Sequence, residues 1–124
     1  MRVKMCSIHV TDPAAAHRFY TETLGFETLM AVPEANLFIV SSDGTPGLGL
    51  LLEPSDNPVA EAYRTGVYEQ GLPAIVLGSP DVRGEYERLT TAGVAFRGQP
   101  SEGPAGVTAV FDDTCGNLIQ LHQD

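Results

Sequence analysis

Residues 3–26, VKMCSIHVTDPAAAHRFYTETLGF, hold a complete strand, turn and helix. Cys6, Ile8 and Val10 are apolar, and Ser7, His9 and Thr11 between them are polar. That is the period-two pattern of a strand with one oily face. Asp12 offers an N-cap oxygen, and Pro13 suits a first helical position because its missing N–H has no bond to lose. Ala16, Phe19, Tyr20 and Leu24 follow at amphipathic-helix spacing, and Gly25 provides the conformational freedom of a C-cap. Strands are expected next over residues 26–32, 36–41 and 47–53, with SSDGTP (residues 41–46) turning the second into the third.

The same order recurs downstream. In LPAIVLGSPDVRGEYERLTTAGV, residues 72–94, Ile75 and Leu77 alternate with Ala74, Val76 and Gly78. Ser79 and Pro80 repeat the cap-plus-proline device. Val82, Tyr86 and Leu89 mark a helical stripe that Gly93 ends. Strands around residues 94–97, 107–112 and 118–122 complete the copy. Phe19 and Tyr86 stand 67 positions apart, and Gly25 and Gly93 stand 68 apart. With a one-residue slip, the chain is an internal duplication. The fold class expected is α+β, two tandem βαβββ modules at about 3–53 and 72–122 in a single domain, 1–124. Asn57 and Pro58 open a connecting helix over about 57–69, with Val59, Ala62, Tyr63 and Val67 on one face and Gly66 weakening it.

Composition limits what such a chain does. At 124 residues it holds one domain with a real core. There is no apolar run of 18 residues to span a membrane, and the start lacks the apolar block of a signal peptide. Cys6 and Cys115 form no metal-type Cys-x-x-Cys and no disulfide framework, so a cytoplasmic protein is expected. A net charge of −9 argues against nucleic acid and would suit a cationic ligand, although acidity also serves solubility.

VTDPAAAHRFYTETLGF resembles the opening of the vicinal oxygen chelate superfamily, also called the glyoxalase / bleomycin resistance / dioxygenase superfamily. Asp12, Phe19, Tyr20, Leu24, Gly25 and Phe26 match its pattern. The closing DDTCGNLIQL is similar to the family's Asp-Pro-Asp-Gly-Asn-x-x-Glu-Leu ending, with Asp113, Gly116, Asn117 and Leu121 in place. The resemblance implies two half-barrel sheets around a shared cavity and, at this length, a homodimer. It also implies metal ligands, normally His or Gln, Glu, His and Glu. Counting seven residues back from the motif aspartates gives Met5 and Ala74, and four residues on from Gly116 gives Gln120. Strand parity assigns the remaining position to Gly49.

Met, Gly, Ala and Gln do not make the site the family uses. A catalytic divalent ion takes about three nitrogen or oxygen ligands from the protein. A thioether is a soft ligand, and Gln120 cannot accept a proton as a carboxylate does. Neither a catalytic residue nor a metal ligand is therefore assigned. Parity points Met5, Ser7, His9, Glu53, Gln120 and His122 into the cavity as ligand-binding residues. His17 is expected at the surface, and Cys115 is expected to be structural. Phe38, Phe96 and Phe111 serve equally as core residues or as stacking surfaces for a ligand. The function expected is metal-independent small-molecule binding, such as drug or metabolite sequestration, with no cofactor. The alternative is a glyoxalase-like lyase, epimerase or dioxygenase. It would use a divalent metal displaced to His9, His122 and Glu53, or a histidine general base.

Overall fold

The computed structural model describes residues 1–42 and 47–124, and the turn expected at residues 41–46 falls largely outside them. The chain divides into two compact units, Met1–Arg64 and Thr65–Asp124.

In the first unit, β1 (Met5–Val10) leads into α1 (Pro13–Arg18), which widens into a π-helical turn over Phe19–Thr23. β2 (Glu27–Val32), β3 (Leu37–Ser41) and β4 (Gly49–Pro54) complete a four-stranded sheet in the order β1-β4-β3-β2. Asp12 Oδ1 accepts the Ala14 and Ala15 N–H groups at 3.1 and 3.3 Å, so the predicted cap is made. Ile8 and Val10 are buried with Ala16, Tyr20, Phe38, Val40 and Leu52, which fixes the oily face of β1 as predicted. Cys6 has the same parity but lies toward the exposed end of the strand. His17 is more than a surface residue. Its Nε2 lies 2.8 Å from Thr28 Oγ1, and its ring stacks on Phe38 with centroids 5.0 Å apart.

The second unit repeats the plan with β5 (Pro73–Gly78), α3 (Val82–Thr91), β6 (Ser101–Gly103), β7 (Gly106–Asp112) and β8 (Leu118–Gln123), in the order β5-β8-β7-β6. The cap here is Asp81, whose Oδ1 accepts Gly84 N–H at 3.0 Å. Ser79, the expected cap, instead accepts the Asp81 N–H. The strand expected over residues 94–97 is reduced to a bridge between Phe96 and Phe111, and regular pairing starts at Ser101. Gly98 and Pro100 explain the delay, because neither favours a strand interior.

In chain order α2 (Pro58–Glu69) follows β4 and precedes β5, with Asn57 Oδ1 accepting Ala60 N–H at 2.9 Å. Gly66 does not interrupt it. On its predicted apolar face Val59, Ala62 and Tyr63 are exposed and Val67 is half-buried, and Ala60 is the buried residue. No helix among the described residues is long and apolar enough to cross a membrane.

Candidate functional site

The face of each sheet away from its helix carries the residues that parity assigned to the cavity. In the first module the parallel pairing of β1 and β4 sets Met5 opposite Gly49, Ser7 opposite Leu51, and His9 opposite Glu53. In the second, β5 and β8 set Val76 opposite Gln120 and Gly78 opposite His122, with a bulge at Ala74.

These registers correct one ligand position. His9 precedes the Asp12 cap by three residues, and Gly78 precedes the Asp81 cap by three. The pair His9–Glu53 therefore corresponds to Gly78–His122, and two residues back Gln120 corresponds to Leu51. Gly49 corresponds to Leu118. Parity alone could not separate Gly49 from Leu51, because both share a face. The metal positions that the resemblance implies are thus Met5, Leu51, Ala74 and Gln120. One amide oxygen and a thioether do not fit a hard divalent ion, and Leu51 and Ala74 supply no donor. Among the described residues, no group of three or more His, Cys, Asp or Glu side chains is placed to hold a metal.

Around Met5 the sheet bears an apolar groove of about 240 Å³. Lys4, Met5, Leu29, Met30, Ile39, Gly47 and Gly49 line it. Leu29 falls at a register shift in β2, an irregularity of the kind that re-aims a side chain. Gly49 is the buried floor. A Cβ there would lie 2.9 Å from Ile39 Cγ2, so no larger residue fits without movement. Its φ lies outside the left-handed region, so space and not backbone conformation requires the glycine.

The other expected ligand-binding residues are placed differently. Ser7 is exposed, and His9 is half-buried with its ring 6.4 Å from Tyr63, edge to face. Glu53 is His9's cross-strand neighbour, and neither lines the groove. His122 Nε2 lies 2.8 Å from the Ala105 carbonyl oxygen, at the β6–β7 turn. It borders a separate crevice with Gly78, Ser79, Pro80, Gln123 and Asp124. Gln120 sits half-buried on β8, opposite Val110 of β7 as well as Val76.

Sequence reasoning did not single out a polar cluster in the second module. Tyr68 O–H donates to Asp112 Oδ2 at 2.6 Å, and Arg97 Nη2 donates to the Tyr68 oxygen at 3.1 Å. The Arg97 guanidinium also lies 5.3 Å from the Tyr68 ring centroid. Tyr68 lies on α2, Asp112 ends β7 and Arg97 lies in the segment between α3 and β6, and no local spacing announces them. Leu29 and Met30 did carry a signal, as adjacent apolar residues break the alternation of β2. Phe38 and Phe111 are core residues, and Phe96 packs between Tyr86 and Phe111, so none of the three is a free stacking surface.

The closing motif is structural. Asp113, fully buried, accepts N–H groups from Cys115 at 2.8 Å and Asn117 at 2.9 Å, and the Asn117 side-chain amide at 3.2 Å. Thr114 and Gly116 take φ of 61° and 93° in the same turn, and Cys115 is buried within it.

The model of the Glyoxalase/Bleomycin resistance protein/Dioxygenase superfamily matches residues 2–121. The chain is similar to YurT of Bacillus subtilis (strain 168), 43% identical, with 99% of each chain covered. Among solved structures it resembles UcmS2, with 31% identity, a TM-score of 0.84, and 100% and 98% of the two chains covered. It also resembles TnmS3, an antibiotic binding protein from Streptomyces sp. CB03234, with 30% identity, a TM-score of 0.78, and 99% and 95% covered. The chain belongs to the Glyoxalase/Bleomycin resistance protein/Dioxygenase superfamily.

Proposed function

We propose that this protein binds a small molecule without a metal ion, in the manner of a sequestering member of its superfamily. The observation that carries the reading is the donor set. Met5, Leu51, Ala74 and Gln120 are the residues that the family resemblance and the strand registers assign to the ion's ligand positions, and Met5 instead forms part of an apolar groove. Apolar walls with few polar groups are what a small-molecule pocket presents. The likeness to TnmS3, an antibiotic binding protein, supports the same reading.

We further infer a homodimer in the cytoplasm. Val59 and Tyr63 on α2, and Leu29 and Met30 on β2, are large apolar side chains left exposed in the single chain. Large apolar side chains left exposed on one element favour a contact with a partner surface. Sedimentation at micromolar concentration is expected to show a dimer, and a clean monomer would contradict it.

Thermal unfolding against a panel of apolar natural products, with and without a chelator, tests the binding function. A ligand that binds only the native state raises its stability by RT ln(1 + [L]/Kd). At least one compound is expected to stabilise the protein, and the chelator is expected to leave that shift unchanged. A shift that disappears with the chelator would mark a metal-dependent site and refute the reading.

A further inference from the structure

The chain has a single lysine, Lys4, and it is among the residues that line the apolar groove. Among the described residues its ammonium has no salt bridge or side-chain hydrogen bond. Arg64, Arg83 and Arg88, by contrast, are each paired with a glutamate. Arg2 adds a second cation nearby, its Nη1 donating at 3.0 Å to the carbonyl of Gly47, another lining residue. In a protein of net charge −9, two of seven cationic side chains therefore gather beside one apolar groove. These two cations favour an anionic ligand over the cationic one that the net charge would suit.

We propose that this groove takes an amphipathic anion. Its apolar body would lie on Met5, Leu29 and Ile39 over the Gly49 floor, and its carboxylate, sulfonate or phenolate would face Lys4. The assignment deepens the small-molecule reading and rests on it. The exposed Lys4 adds modest attraction, while the apolar floor supplies most of the affinity. Lys4 therefore selects among ligands of similar shape more than it holds them.

Two fluorescent dyes of nearly equal apolar body separate these contributions: 1-anilinonaphthalene-8-sulfonate, and the uncharged N-phenyl-1-naphthylamine. The full-length protein is expected to prefer the sulfonate by up to about fivefold, the upper end for one exposed ion pair. Lys4→Gln is expected to remove that preference and leave the uncharged dye's affinity unchanged. Arg18→Gln, an equal loss of charge on exposed α1, is expected to leave the preference intact. Leu29→Gln, on the groove wall, is expected to weaken both dyes. Equal binding of the two dyes, or a preference that survives Lys4→Gln, overturns the anion assignment and leaves the binding function standing. Failure of both dyes to bind overturns the assignment together with the binding reading.

Discussion

Replacing Gly49 with alanine should reverse its effect on stability according to what occupies position 39. Gly49 is buried on β4 and its φ is not left-handed, so the backbone accepts an L-residue. At such a position alanine restricts the unfolded chain and stabilises by about 0.4–1 kcal/mol. The new Cβ, however, would lie 2.9 Å from Ile39 Cγ2, with Leu29 Cδ1 and Met5 Cγ at 3.6 and 3.7 Å. Ile39 is β-branched and cannot easily swing its methyl aside. Overpacking of this kind costs about 1–3 kcal/mol. The difference is a net loss of roughly 1–2 kcal/mol, or a fall in Tm of roughly 4–8 °C. In an Ile39→Ala background Cγ2 is gone, and Gly49→Ala should now stabilise by about 0.4–1 kcal/mol. Urea unfolding of the four proteins, read at constant m value, measures both effects. If Gly49→Ala changed stability equally in the two backgrounds, the contact would have no energetic weight and the groove floor would be misdrawn.

Asp113→Ala removes a buried carboxylate that accepts three N–H groups, and should cost about 2–3 kcal/mol in urea unfolding; a change below half of that would show the turn to be self-sufficient. Tyr68→Phe loses the hydroxyl that joins Asp112 and Arg97, and should lower stability by about 1 kcal/mol. No change in the urea midpoint would mean that solvent replaces the bond. Gln120→Glu should show no glyoxalase turnover of the hemithioacetal of methylglyoxal and glutathione, because Met5, Leu51 and Ala74 still provide no imidazole or carboxylate. Turnover above the uncatalysed rate in that variant would refute the donor-set argument.

The duplicated module was legible because its signals are local. Alternation in β1, the Asp12–Pro13 start and the glycine stops each act within a few residues, and the structure places all of them as read. Where two local signals competed, as with Ser79 and Asp81, composition could not rank them and the geometry chose Asp81. The exposure of Val59 and Tyr63 on α2 was not legible, because apolar spacing gives an amphipathic face but not what covers it. The site was legible only as a face. Choosing Leu51 over Gly49 needed the pairing of β1 with β4, and the groove needed β2 and β3 beside them. Tyr68, Arg97 and Asp112 meet through tertiary packing that no spacing encodes.

Metal content measured on the purified protein, after exposure to Ni²⁺, Mn²⁺, Fe²⁺ or Zn²⁺ and removal of free ion, tests the central claim most directly. The account predicts far less than one ion per chain and no rise in Tm from any of the four. One tightly held ion per chain that raises Tm, and that is lost on Gln120→Ala, His9→Ala or His122→Ala, would contradict it.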